Sequence, residues 1–111
     1  MTDNKRPLVY ICSPYSGNVD ANVKAAREYC RIAVDKGFIP VAPHLLYPQF
    51  MDDDNPAERK LGMSFGNALM DQCRELWVCG DYLSSGMETE FDRASAKGMT
   101  IKFICEEDGD A

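Results

Sequence analysis

Four short β-prone runs, residues 7–12, 38–42, 75–79 and 100–104, alternate with stretches whose apolar residues recur at helical spacing. That alternation constrains the fold more than any other feature of the chain. Strands separated by helices and joined by short connections build a parallel sheet covered by helices on both faces. Runs such as P-L-V-Y-I-C, apolar on successive positions, suit strands buried on both sides. The pattern predicts a small α/β three-layer sandwich of the flavodoxin or Rossmann-like kind, with a four- or five-stranded parallel sheet. The 111 residues read as one domain, 1–111, with a core of about 7–104 and an acidic tail at 106–111. Pro40 in the second run predicts an edge strand, where a missing N–H costs least.

Helix ends are marked by local chemistry. Asn18 caps the first helix, Val19, Val23, Ala26, Cys30 and Ala33 form its apolar stripe, and Gly37 stops it. Asn55-Pro56-Ala57-Glu58 reads as a cap, a proline at the first helical position and a capping box. Leu61, Phe65, Leu69 and Cys73 are expected on the buried side of that helix. A further capping box is expected at Ser85-Gly86-Met87-Glu88, with Met87, Phe91 and Ala94 facing the core before Gly98.

Composition narrows the function. A formal net charge of -6 opposes unaided binding to a nucleic-acid backbone but leaves a single anionic nucleotide open, because backbone N–H groups can hold one. No apolar run approaches the roughly 20 residues that cross a bilayer, and the start of the chain lacks a signal-peptide core. Cys12, Cys30, Cys73, Cys79 and Cys105 show no C-x-x-C spacing; three fall in strands and two on helix faces, so they read as small hydrophobes in a reducing, cytoplasmic setting. His44 is the sole histidine, which removes zinc-finger and metalloprotease patterns.

Ligands of open parallel sheets bind beyond the carboxyl ends of the strands. Those ends carry the segments 13–17, 43–54 and 80–86, the most unusual in composition. In the first, Gly17 follows a serine-rich turn and precedes a helix start, the setting of an anion-binding turn. In the second, His44, Tyr47 and Gln49 join Tyr15 as groups able to stack on or hydrogen-bond a base, and Asp52, Asp53 and Asp54 read as a solvated loop. In the third, Ser84, Ser85 and Gly86 lead into a helix carrying Glu88 and Glu90. Glu88 has a capping role. Glu90 has none, and is either functional or a surface partner of Arg93.

The segments V-Y-I-C-S-P-Y-S-G, P-V-A-P-H-L-L-Y-P-Q-F, E-L-W-V-C-G and S-S-G-M-E-T-E with F-D-R-A after it resemble the nucleoside 2-deoxyribosyltransferase-like superfamily. Within it they resemble a branch of short bacterial and phage proteins that carry a domain of unknown function. The resemblance implies that Glu90, in the E-x-x-x-A slot of Glu90-Phe-Asp-Arg-Ala94, attacks the anomeric carbon of the sugar. It implies that Ser84, Ser85 and Gly86 hold the 5′ end of a nucleotide and that Ser13, Tyr15 and Gly17 line the sugar pocket. It further implies a homo-oligomer, whose neighbouring subunit often completes the site with a C-terminal segment that is short here. The aspartate that assists the departing base in active members is replaced by Asn67, with Asp71 one turn later, and an amide cannot deliver a proton.

The chemistry so implied is N-glycosidic cleavage through an oxocarbenium-like state. One carboxylate attacks or stabilises the anomeric carbon and a second group protonates the base. Glu90 takes the first role, and Asp71, Asp81 and Asp92 compete for the second. Water as acceptor gives a hydrolase and a second base gives a transferase; no metal or organic cofactor is needed. Two other readings stand beside it. One is a nucleotide-binding module without catalysis, which Asn67 favours. The other is a phosphoribohydrolase of the lysine-decarboxylase-like type, whose P-G-G-x-G-T-x-x-E run is reduced here to S-S-G-M-E-T-E.

Overall fold

The computed structural model describes residues 6–105, so the acidic tail at 106–111 lies outside the described residues. The elements run β1 (Leu8–Cys12), α1 (Val19–Asp35), β2 (Ile39–Val41), two short 3-10 turns (Pro43–Leu45 and Tyr47–Gln49), α2 (Pro56–Met70), β3 (Glu75–Cys79), α3 (Ser85–Ala96) and β4 (Thr100–Ile104). The four strands form one sheet in the order β2-β1-β3-β4. All pairs are parallel, with Leu8 opposite Ile39, Val9 opposite Glu75 and Glu75 opposite Thr100. Pro40 lies on the edge strand β2.

Alternation along the strands divides the core into two layers. Val9, Ile11, Trp77, Cys79 and Ile104 pack with Tyr29, Ile32 and Ala33 of α1 on one face. Tyr10, Cys12, Leu76 and Val78 pack with Met70, Met87 and Ala94 on the other, beneath α2 and α3. Each fully buried large apolar side chain contributes about 1.5–3 kcal/mol. The sandwich therefore has α1 on one side of the sheet and α2 with α3 on the other.

Both asparagine caps form: Asn18 accepts from the Ala21 N–H, and Asn55 accepts from Ala57 and Glu58 with Pro56 at the first position. Glu58 does not close its box. Its Oε1 accepts from the Asp52 N–H at 2.7 Å instead and ties the preceding loop to the helix. The box on α3 sits one residue earlier than expected. Ser84 is the cap, its hydroxyl accepting from the Met87 N–H at 3.3 Å while its own N–H meets the Met87 sulfur.

The buried stripe of α2 is also shifted. Leu61 is 49% exposed and Phe65 37%, while Gly66 and Met70 face the core. The sheet beneath α2 carries Tyr10, and the helix passes close over it at Gly66: a Cβ there would lie 3.3 Å from the Tyr10 hydroxyl oxygen, a tight contact. The cysteines divide by position. Cys12 and Cys79 are buried, Cys30 and Cys73 half-buried, and Cys105, just past β4, is exposed rather than buried in a strand. Burial pushes the thiols of Cys30 and Cys73 up to about 11 and that of Cys79 to about 12, which keeps them in the unreactive thiol form.

Candidate active site

The chain leaves β1 toward β2 on one side and β3 toward β4 on the other, so the carboxyl ends of β1 and β3 flank the point where the winding reverses. A cavity of about 320 Å³ opens there. Its walls come from the loop after β1, the 3-10 turns after β2, the inner face of α2 and the first turns of α3.

Glu90 forms its floor. Helical phase places it three residues after the fully buried Met87 and four before the buried Ala94, so its carboxylate turns inward over the sheet. One oxygen, Oε2, accepts a 2.5 Å hydrogen bond from the Tyr10 hydroxyl. The other, Oε1, is buried and has no hydrogen-bond partner among the described residues. Burial raises the Glu90 carboxyl above its ordinary value; the Tyr10 hydroxyl, the charge of His44 and the nearby Cys12 thiol pull it back. Burial also raises the Tyr10 phenol, and the neighbouring carboxylate raises it further, so the phenol stays a proton donor to Glu90. The result is a largely buried carboxylate, fixed through one oxygen and unpaired at the other, on a residue that lines the cavity.

Of the residues singled out from the sequence, Glu90, Tyr15, His44, Asn67, Ser85 and Gly86 line this cavity. The Tyr15 and His44 rings stack, with centroids 5.2 Å apart and planes 20° apart. A Cβ on Gly86 would meet nothing within 4 Å, so the backbone is open to the cavity there. Tyr47 lines it as well and packs against Phe65.

The other expected residues are placed elsewhere. Ser13 is buried at the end of β1 and Ser16 faces the cavity instead. Gly17 serves the turn, with φ of +99° and open space around it. Gln49 spends its amide on the Leu45 carbonyl at 2.6 Å, and Ser84 spends its hydroxyl as the cap of α3. None of the three aspartates lines the cavity. Asp81 is exposed in the loop after β3, and Asp92, two residues past Glu90, turns to the opposite side of α3 and is exposed.

Asp71 caps the end of α2 on the surface, bound by Arg93 at 2.9 Å and Lys97 at 2.8 Å. Arg93 is thus the partner of Asp71 and not of Glu90. Hydrogen bonds from Arg93 and Lys97 hold the Asp71 carboxyl down at about 2, against an ordinary 3.8. A depressed carboxyl stabilises the fold above its unfolded value and loses that contribution as pH falls through the folded one. Asp71→Asn is therefore expected to lower the melting temperature at neutral pH, by an amount that shrinks as pH is taken from about 4 toward 2. It leaves the cavity chemistry unchanged. Thermal melts across that range check it, and a pH-independent difference would contradict it.

Several cavity residues were not anticipated. Tyr10 lies inside an apolar run, and its signal is that a buried phenol needs a partner. Gly62 and Gly66, one helical turn apart, give α2 a flat inner face. Asp52, Asp53, Glu58 and Arg59 reach the cavity from the loop before α2 and its first turn. Asp54 donates its N–H to the Asp52 carboxylate at 2.9 Å, so the acidic loop is ordered by its own contacts. Among the described residues, no group of three or more His, Cys, Asp or Glu could hold a metal ion. No helix of the described residues is long and apolar enough to cross a membrane.

Fold and cavity together define a Rossmann-like α/β protein with an ionisable side chain at the topological switch point. The backbone is similar to that of a 2-deoxyribosyltransferase from the psychrotolerant bacterium Bacillus psychrosaccharolyticus, with a TM-score of 0.66 over 88% of this chain and 72% of that one, at 13% identity. The likeness establishes a shared deoxyribosyltransferase-like fold. No curated protein matches the chain in sequence. Residues 7–104 match the profile of a domain of unknown function, DUF7768, and the chain belongs to that family.

Proposed function

We propose that the protein cleaves or transfers the N-glycosidic bond of a nucleoside or nucleotide, with Glu90 as the nucleophile. The observation that carries this reading is the Glu90 carboxylate itself: inward-facing, held through Oε2 by Tyr10, with Oε1 buried and unpaired among the described residues, on a side chain that lines the cavity. The Tyr15 ring, braced by stacking on His44, supplies an aromatic wall for a base. The fold of a 2-deoxyribosyltransferase supports the same substrate class. Ser85 and Gly86, at the start of α3, line the cavity and are assigned to the 5′ end of the substrate. The exposed Leu61, Met63 and Phe65 on α2 support a homo-oligomer, and the half-buried and buried thiols support a reducing, cytoplasmic setting.

The test is incubation with ribo- and deoxynucleosides and their 5′-monophosphates, with and without a second free base, followed by chromatography of released bases. Release from one substrate class supports the reading, and exchange onto the added base marks a transferase. A second reading, a nucleotide-binding module without catalysis, is favoured by the absence of Asp71, Asp81 and Asp92 from the cavity. Tight nucleotide binding with no base released would select it.

Tyr10→Phe tests the floor of the site. Its hydroxyl lowers the Glu90 carboxyl, so its loss is expected to raise Glu90 further. The ionised carboxylate is the reactive form, so the acid limb of kcat/KM moves to higher pH while activity on the alkaline side is largely kept. An unmoved limb would mean that Tyr10 does not set the ionisation of Glu90.

A further inference from the structure

A nucleophile at the floor leaves the departing base without a proton, and the three aspartates weighed for that task lie outside the cavity. Asn67 does line it, but an amide donates no proton. Three further carboxylates reach the cavity. Asp52 and Glu58 are engaged within the loop, Asp52 accepting from the Asp54 N–H and Glu58 from the Asp52 N–H. Asp53 sits beside them, exposed, in the same segment.

His44 differs from all of these. It lies on the 3-10 turn Pro43–Leu45, a different wall of the cavity from α3, which carries Glu90. Its ring is fixed by stacking on Tyr15 and is half-buried. The residue lines the cavity. It lies close enough to Glu90 for its positive charge to favour the ionised carboxylate. Imidazole is also the side chain best matched to giving and taking a proton near neutral pH.

We infer that His44 is the general acid of this site, the group that protonates the departing nucleobase. The inference rests on the glycosidic reading above. In the first step Glu90 Oε1 bonds to the anomeric carbon as the bond from that carbon to the base nitrogen breaks. The electron pair stays with the base, and the imidazolium of His44 gives its proton to the base, which leaves neutral. In the second step the neutral imidazole takes a proton from water, or from the incoming base, as that group bonds to the anomeric carbon and Glu90 is released as carboxylate. Atoms and charge balance with no further reactant.

The test compares leaving groups. A 7-methylguanine nucleoside already carries a positive charge on its base, which departs neutral with no proton supplied. An unmethylated guanine nucleoside needs the proton. His44→Gln, which keeps a planar polar side chain, is expected to lower cleavage of the unmethylated nucleoside by about 10²–10⁴-fold. Cleavage of the 7-methyl nucleoside is expected to change by no more than a few-fold. Equal losses on both substrates would make His44 a binding or packing residue, and no loss on either would remove it from the reaction; both results overturn the inference while the glycosidic reading stands. A wild-type protein that cleaves neither nucleoside, nor any member of the wider panel, overturns both together.

Discussion

Glu90→Gln is expected to lower base release by about 10⁴-fold or more and to leave the protein at least as stable as the wild type at neutral pH. Both halves come from the same geometry. In the proposed reaction the Glu90 carboxylate attacks, and an amide is a far poorer nucleophile; the Glu90 Oε1 is buried and without a hydrogen-bond partner among the described residues. The same atom is a cost to the fold, because a carboxylate taken from water without full hydrogen bonding is destabilising.

Burial raises the Glu90 carboxyl from its ordinary 4.5. A group whose folded value is raised stabilises the fold below the unfolded value and loses that contribution as pH climbs through the folded one. The melting temperature of Glu90→Gln relative to wild type should therefore rise as pH increases above about 4.5. Thermal melts and base-release assays on the same preparations check both. A variant retaining activity within tenfold of wild type would remove Glu90 as nucleophile. A variant whose relative stability falls with rising pH would contradict the raised carboxyl.

The largest loss of stability is expected at Trp77. Its indole is 1% exposed and meets Phe38 edge-on, with ring centroids 5.0 Å apart. Its Nε1 donates to Glu75 Oε1 at 2.9 Å, and Lys102 reaches the same oxygen at 3.3 Å. Trp77→Ala empties the centre of the layer between the sheet and α1 and removes a donor from a buried carboxylate. The expected cost is about 3–5 kcal/mol, a large share of the 5–15 kcal/mol typical of a whole domain. Trp77→Phe keeps much of the apolar volume and should cost clearly less. Urea titration of the three proteins gives the order, and a loss below about 1 kcal/mol for the alanine variant would show that the layer refills the space. The site lies on the opposite face of the sheet, so activity per folded molecule should survive in Trp77→Phe.

The strands and helix starts were legible because their determinants are local. The bounds expected for β3 and β4 match those observed; Gly80 ends the first run and Gly98 stands just before the second. Asn18 and Asn55 announce their helices through side-chain acceptors that need only the next three residues. Legibility fails where the partner is remote or carries no hydrophobicity. The apolar spacing on α2 runs through Leu61 and Phe65, whereas the face turned to the sheet contains Gly66, which counts for nothing in an apolar pattern and packs closely over Tyr10. The two adjacent serines before α3 offer the same cap chemistry, and the choice of Ser84 is made by the Met87 sulfur behind it.

At the site, His44 stands out by its residue type and loop position, Glu90 by the resemblance of its E-x-x-x-A slot, and both line the cavity. Tyr10 was not, because its hydroxyl finds its partner 80 residues along the chain. Asp71 lies one turn after the Asn67 slot in sequence, but Arg93 and Lys97 hold it on the surface, and helical phase turns Asp92 away from the side of α3 that carries Glu90.

The central claim is that Glu90 bonds to the sugar, and intact-protein mass spectrometry after rapid acid quench tests it most directly. With a substrate from which the base is released, the protein should gain the mass of one glycosyl unit. Proteolysis should place that unit on the peptide carrying Glu90, and Glu90→Gln should gain nothing. Base release with the wild-type protein unmodified throughout turnover, or modified at another residue, would contradict it.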